Sequence, residues 1–427
     1  MFERKQISEG IFFNCISDLR FKVNMISIKF LLPLEKENNA PRALIFPVII
    51  GGTENYPTEK DLNRYLEEIY SSTVSSSFNR LGNICIQNLN AVFLRKKYIQ
   101  DETDIETGVL NVLEDMLRHP VLEGRAFKKE KVETEKMHLA DSERSVINNK
   151  GKYAINRCME QMLSDDDFGY PLNGTVEDIE RTTPEQIYEQ YLYMLEHARI
   201  EVFAAGELDF GKYCAFVKEL FSSVDRKYED NLSVSPITDH VREVKRINET
   251  DDVAQGKMVI GFRTFCSSVD DYSKTAPLIV GMNLFGAGST SKLFNNVREK
   301  MSLCYYCSSF SVMDKGLMLI QSGVAKENEK KAFDAIMEQF ENVKKGDISD
   351  GEIENAKSDA ISDLVGAFDY LRGVISWYFV KTITGKSYDK ELLVNYFKGV
   401  TKEQIVESFK SIELDTYYFL CGGDSNE

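Results

Sequence analysis

LFGAGSTSKLFNNVREKMSLCYYCSSFSVMDKGLMLIQSGV, residues 284–324, is the stretch on which the reading of this chain turns. Gly286 and Gly288, followed by Ser289, Thr290 and Ser291, set a tight turn ahead of a helix over LFNNVREK. Helix N-termini attract anions, but a phosphate loop needs a lysine that is absent at its position here, so the plainer reading is a turn that lets the chain enter the helix. Arg298 comes near the end of that helix, and Cys304-Tyr305-Tyr306-Cys307 follows in a β-like stretch. The Cys-x-x-Cys spacing permits a redox or zinc role. With no second such pair and no histidine close by in sequence, two core or strand cysteines are the better reading.

Outward from this stretch the chain reads as two similar halves. TPEQI (183–187) and TKEQI (401–405) are both Thr-x-x-Gln capping boxes that open amphipathic helices. Each is followed by an apolar run ending in glycine, RIEVFAAGELD (199–209) and TYYFLCGGD (416–424). Earlier in each half, KVNMISIKF (22–30) and KMVIGFRTF (257–265) alternate as strands, and each leads through a polar turn into an apolar helix-like segment, ALIFPVII and APLIVGMNLFGAG. The expected fold is α+β: a duplicated unit of roughly 200 residues, each copy a mostly antiparallel sheet with helices packed on one face. The boundaries read as 1–225, a linker over 226–250 that lacks sustained apolar periodicity, and 251–427. Thr58 is placed to cap a helix bearing Leu62, Tyr65, Leu66 and Ile69. Phe333, Ile336, Met337, Phe340 and Val343 form a helical stripe stopped at Gly346, and Ser349 with Glu352 begins the next helix.

A chain of 427 residues exceeds what one core usually spans. Its formal net charge of −16 repels phosphate backbones and anionic lipid, so nucleic acid and membrane are poor partners, while a basic or neutral peptide suits the field. Glu3, Arg4, Lys5 and Glu9 interrupt any signal-peptide-like run, and the longest apolar run, Leu44 to Ile50, is too short to span a bilayer, so a cytoplasmic location is expected. The eight cysteines have no framework spacing and read as free, mostly buried thiols. Of the four histidines, His119 and His138 are the nearest pair, nineteen residues apart. A helical zinc site needs two ligands three or four residues apart, so none can be assembled locally. Nucleophile-elbow, Walker and dinucleotide fingerprints are also missing.

The run Leu293, Phe294, Arg298, Glu299, Lys300, Leu303, Tyr305, Ser308, Ser309 and Gly316 resembles the C-terminal half of the insulinase (M16) peptidases. FKKEKVETEK (127–136), VFAAGELD and the duplicated architecture extend the resemblance over nearly the whole chain. Zinc-bearing M16 enzymes carry His-x-x-Glu-His followed by a Gly-Thr element. With Gly52-Thr53 set on that element, Ala43 and Pro47 fall where the two histidines belong and Phe46 falls on the general base. The third ligand falls near Ser142, with Glu143 adjacent. Alanine, phenylalanine and proline side chains offer Zn²⁺ no lone pair and an attacking water no base, so the resemblance is to the zinc-less, non-catalytic members. It implies no catalytic residue and no metal in this chain alone.

The resemblance also aligns Arg298 and Tyr305 with an arginine and a tyrosine that contact substrate in the family. An arginine fork suits peptide carbonyls and a tyrosine hydroxyl can donate to a developing oxyanion. The plainer alternative has Arg298 pairing with helix-end carbonyls and Tyr305 packing in a strand. Two functions follow. In the first, the chain is the peptide-handling, non-catalytic subunit of a heterodimeric M16B-type peptidase, with zinc held by an HxxEH-bearing paralogue to which it lends Arg298 and Tyr305. In the second, it is a pseudo-peptidase that binds peptide or scaffolds another protein without proteolysis. An enzyme of unrelated chemistry on the same fold finds no support in the spacing of the cysteines or histidines.

Overall fold

The computed structural model describes residues 2–386 and 389–422. The chain divides into two compact units. The first runs to Arg144, resumes over Tyr170–Ser233 and takes in Tyr370–Tyr378; the second comprises Ser145–Gly169, Val234–Asp369 and the chain from Phe379 onward.

The first unit is built on six strands: β1 (Phe2–Ser8), β2 (Ile11–Ser17), β3 (Val23–Pro33), β4 (Thr73–Leu81), β5 (Ile84–Leu94) and β6 (Arg199–Gly206). They lie in the order β1-β2-β6-β3-β5-β4, antiparallel except for β2 beside β6. The second unit has β7 (Lys245–Thr250), β8 (Gly256–Arg263), β9 (Cys304–Val312), β10 (Leu317–Val324) and β11 (Glu413–Cys421), in the order β7-β11-β8-β10-β9. Here too a single pair, β7 with β11, is parallel. Removing β1 makes the two topologies identical, with β6 matching β11, β3 matching β8 and β4 matching β9. The duplication read from the capping boxes is therefore a duplication of topology. Thr183 with Gln186 and Thr401 with Gln404 form complete capping boxes at the helices that deliver β6 and β11. The last two residues of the second glycine-ended run, Gly423 and Asp424, lie outside the described residues.

β3 differs from the alternation read in KVNMISIKF, because Met25 and Ser27 are buried as well as Ile26, Ile28 and Phe30. The reason is that both faces of each sheet carry helical cover. On the first sheet, helices Asn39–Ile50 and Pro184–His197 lie on the face bearing Phe30. Residues 370–378 lie against the opposite face, where Tyr378 stacks on Phe2 at 4.4 Å. On the second, Phe262, Phe285, Phe340 and Phe409 form one aromatic cluster with ring centroids 5.0–5.9 Å apart. Helix Lys150–Met162 covers the other face, where the missing Cβ of Gly261 leaves room for the Met162 sulfur. That helix is tied down by Glu249 of β7, which accepts from the hydroxyls of Tyr153 and Tyr418 and from Arg157. Thus Ser145–Gly169 joins the second unit and Tyr370–Tyr378 the first, which no single cut within 226–250 would give.

The helix punctuation follows the sequence closely. Thr58 accepts from the Asp61 amide, Gly346 ends helix Glu329–Lys345 at φ 79°, and Ser349 and Glu352 form the capping box of Asp350–Ala367. All eight cysteines are free and six are buried.

Candidate functional site

In the first unit, Ala43, Phe46 and Pro47, the residues aligned above with a zinc motif, lie on helix Asn39–Ile50, which follows β3. Ala43 and Phe46 are buried at 6% and 2% exposure, and the Phe46 ring packs 5.7 Å from Phe30. Pro47 sits half-buried inside the helix and brings no amide to the Ala43 carbonyl. Arg42, one residue before the motif, is also buried. Its guanidinium donates to the Pro33 carbonyl at 2.8 Å, Gln190 at 2.9 Å and Glu35 at 2.7 Å, which fixes the start of the helix. At the other end Lys131 donates to the Gly51 and Pro57 carbonyls at 2.6 and 2.8 Å. A cation there complements the helix C-terminus. Burial, with Lys128 nearby, holds the Lys131 ammonium below its ordinary pKa.

Helix Lys129–Val146 packs through Ala140 on Ala40 and Ile179. Ser142, two residues further on, is exposed, and Glu143 accepts from Asn173 at 2.7 Å. The side chains at the motif positions are thus a methyl, a phenyl and a pyrrolidine set in apolar packing. Among the described residues no group of three or more His, Cys, Asp or Glu side chains could hold a metal ion. His119, His138 and His240 are each paired with a carboxylate on the surface, and His197 stacks on Tyr193.

In the second unit, Leu293–Lys300 is wound as a π-helix, a form that recurs at functional sites. Arg298 on it is half-exposed; its guanidinium lies 4.8 Å over the Phe294 ring and its Nε 3.6 Å from Glu299. Ser302, at φ 51°, turns the chain into β9, the edge strand of its sheet.

The register of β9 against β10 shifts at its first residues: Cys304 pairs with Val324 and Tyr306 with Gly323, so Tyr305 faces no partner. This is a β-bulge. It has two consequences. Tyr305 is turned outward and is 75% exposed. Cys304 and Cys307, which a regular strand would put on opposite faces, come to the same face, both buried beside Ser322. Gly323 permits the bulge, since a Cβ there would meet the Tyr306 ring at 2.6 Å. The neighbouring Cys307, with Ser322 and Arg298, holds the Cys304 thiol below its ordinary range against the burial that would raise it. The same contact pushes Cys307 well up.

Neither the bulge nor the neighbouring thiols were read from the sequence. A signal was present: two buried-type residues three apart break the two-residue period of a strand, and a bulge restores it.

The two units repeat one strand order, and the fold they make is that of a solved M16 protein. The chain belongs to the M16 peptidase family. It is 30% identical over 421 residues to the probable inactive metalloprotease YmfF of Bacillus subtilis, covering 98% of each chain. It is 24% identical over 402 residues to the uncharacterized zinc protease YmxG of the same organism, covering 89% of this chain and 90% of that one. Residues 181–359 match the family description "Peptidase M16 inactive domain". Among solved structures, the fold is shared with a conserved protein from Enterococcus faecalis at TM-score 0.93 and 24% identity, over the full length of both chains. It is also shared with the peptidase M16 inactive domain from Pseudomonas fluorescens at TM-score 0.79 and 13% identity, over 100% of this chain and 99% of that one.

Proposed function

We propose that this chain is a pseudo-peptidase that binds peptide without hydrolysing it. The observation that carries this reading is the packing of the motif helix. Where zinc-bearing relatives need two histidines and a glutamate, Ala43 and Phe46 are core side chains and Pro47 has no donor atom. A water there would find neither a Lewis acid nor a base. The peptide-binding half of the proposal rests on the edge strands. β4 and β9 occupy equivalent sheet edges, and a row of unpaired backbone groups is what an extended peptide adds to. On β9 the bulge presents the Tyr305 hydroxyl outward, and the half-exposed Arg298 guanidinium precedes it in the chain. The test is binding of fluorescently labelled peptides to the purified full chain, with and without chelator. The expected result is saturable binding that chelator leaves unchanged, weakened several-fold in Arg298→Ala and Tyr305→Phe, with no cleavage products. Binding abolished by chelator would overturn the reading.

A second reading is favoured by the exposure of Tyr305, which the bulge leaves without a partner residue on β10. In it, this chain lends Arg298 and Tyr305 to the zinc site of an HxxEH-bearing paralogue. Mixing the two chains then produces peptidase activity that neither shows alone, and Tyr305→Phe lowers the rate roughly 10²–10³-fold, the usual effect of losing one oxyanion donor. Full activity of that mixture with Tyr305→Phe would remove this reading and leave the first untouched.

A further inference from the structure

The Cys-x-x-Cys pair on β9 has no part in the function proposed above. The register places it unusually. Cys304 and Cys307 pair with Val324 and Ser322, which are two residues apart on β10, so the bulge compresses a three-residue separation to a two-residue one. Two residues of strand span about 6.6 Å, at the upper end of the roughly 4.4–6.8 Å over which a disulfide can join two Cα atoms. The register puts both side chains on the same face, and each thiol acts on the ionisation of the other. β9 has no outer neighbour in its sheet, so a small contraction breaks no ladder on that side. Ser322 and Arg298 are the polar and charged groups near the Cys304 sulfur, and both favour its thiolate.

We propose that Cys304 and Cys307 are a reversible dithiol–disulfide couple, with Cys304 as the attacking sulfur and Cys307 as the resolving one. With hydrogen peroxide as oxidant, the Cys304 thiolate attacks one peroxide oxygen, the O–O bond breaks and hydroxide leaves, giving a sulfenic acid. The Cys307 sulfur then attacks that sulfur, giving up its proton, and the second hydroxide leaves as water. Two thiols and one peroxide become one disulfide and two waters, and the two electrons lost by the sulfurs reduce the peroxide. A dithiol reductant returns the pair to thiols.

The other buried cysteines provide the internal control. Burial pushes the Cys15 and Cys85 thiols up, Cys158 to about 12 and Cys266 to about 11.

The experiment uses the full, reduced chain, exposed to hydrogen peroxide, blocked by alkylation and digested with trypsin. Residues 301–315 form one tryptic peptide holding both cysteines. The expected result is a peptide lighter by two hydrogens, unalkylated, restored to two alkylatable thiols by dithiothreitol, while Cys85 and Cys158 stay reduced. Cys307→Ser should stop at a sulfenic acid trapped by dimedone at Cys304. A peptide that stays fully reduced, or that gains oxygen at either sulfur without losing two hydrogens, would overturn the proposal. None of these readouts depends on peptide binding.

Discussion

Replacing Phe46 with glutamate restores, in name, the general base of the zinc-bearing relatives, and its cost measures whether this helix face is core or cleft. Phe46 is 2% exposed and packs on Phe30. Losing the buried ring forfeits roughly 1.5–3 kcal/mol of transfer free energy. A buried carboxyl with no partner adds about 1–3 kcal/mol. Phe46→Glu should therefore destabilise the first unit by about 2.5–6 kcal/mol even at acid pH, against about 1–2 kcal/mol for Phe46→Leu, which stays apolar and loses only part of the ring's volume. The pH dependence has a definite sign. Desolvation raises the folded pKa of the introduced carboxyl above its unfolded value near 4.3. At acid pH both states are protonated, and the packing loss and the unpartnered neutral carboxyl set the whole cost. As pH rises above about 4 the unfolded chain releases its proton and the folded chain holds on, so stability falls by about 1.4 kcal/mol per unit until the folded pKa is reached. Urea titrations of the variant and the parent at about pH 4.5, 6 and 7.5 would show the midpoint gap widening with pH. A loss under about 1 kcal/mol that is flat with pH would mean position 46 meets water, and the core reading of the motif helix would fall.

Pro47→Ala restores an amide opposite the Ala43 carbonyl and should raise stability by about 1–3 kcal/mol, seen as a higher denaturation midpoint. In the second unit burial raises the Glu249 pKa, but hydrogen bonds from Tyr153, Tyr418 and Arg157 outweigh it and leave the carboxyl below its ordinary value. Its contribution is present above the unfolded pKa of about 4.3 and is lost as pH falls through the folded one. Glu249→Gln should therefore be less stable than the parent near neutrality and should converge on it in acid, as followed by thermal melts across the acid range. An unchanged gap in acid would show that the Glu249 charge contributes nothing.

Local signals were legible where a short segment decides its own structure. The capping boxes at Thr183, Ser349 and Thr401, the stop at Gly346 and the apolar stripe before it depend on neighbours a turn away. The duplicated topology followed from those repeated boxes and glycine-ended strands. Legibility failed where distant segments meet. The sequence gives no local sign that helix Lys150–Met162 joins the second sheet, because its partners, Gly261 and Glu249, lie about a hundred residues on. The burial of Met25 and Ser27 on β3 likewise depends on cover from residues 370–378, far along the chain. At the candidate site, the side-chain chemistry of Ala43, Phe46 and Pro47, with neither a metal-ligating atom nor a base, was readable from residue identity. The outward turn of Tyr305 was not, because it is set by a register shift against β10.

The measurement that tests the central claim most directly combines metal analysis, peptide hydrolysis and peptide binding on one preparation of the full chain, incubated with zinc and then dialysed. The account expects no stoichiometric zinc, no cleavage, and peptide binding that is the same with and without chelator. Zinc retained at one equivalent together with chelator-sensitive cleavage would contradict it, and would mean that a metal site is assembled from residues other than Ala43, Phe46 and Pro47.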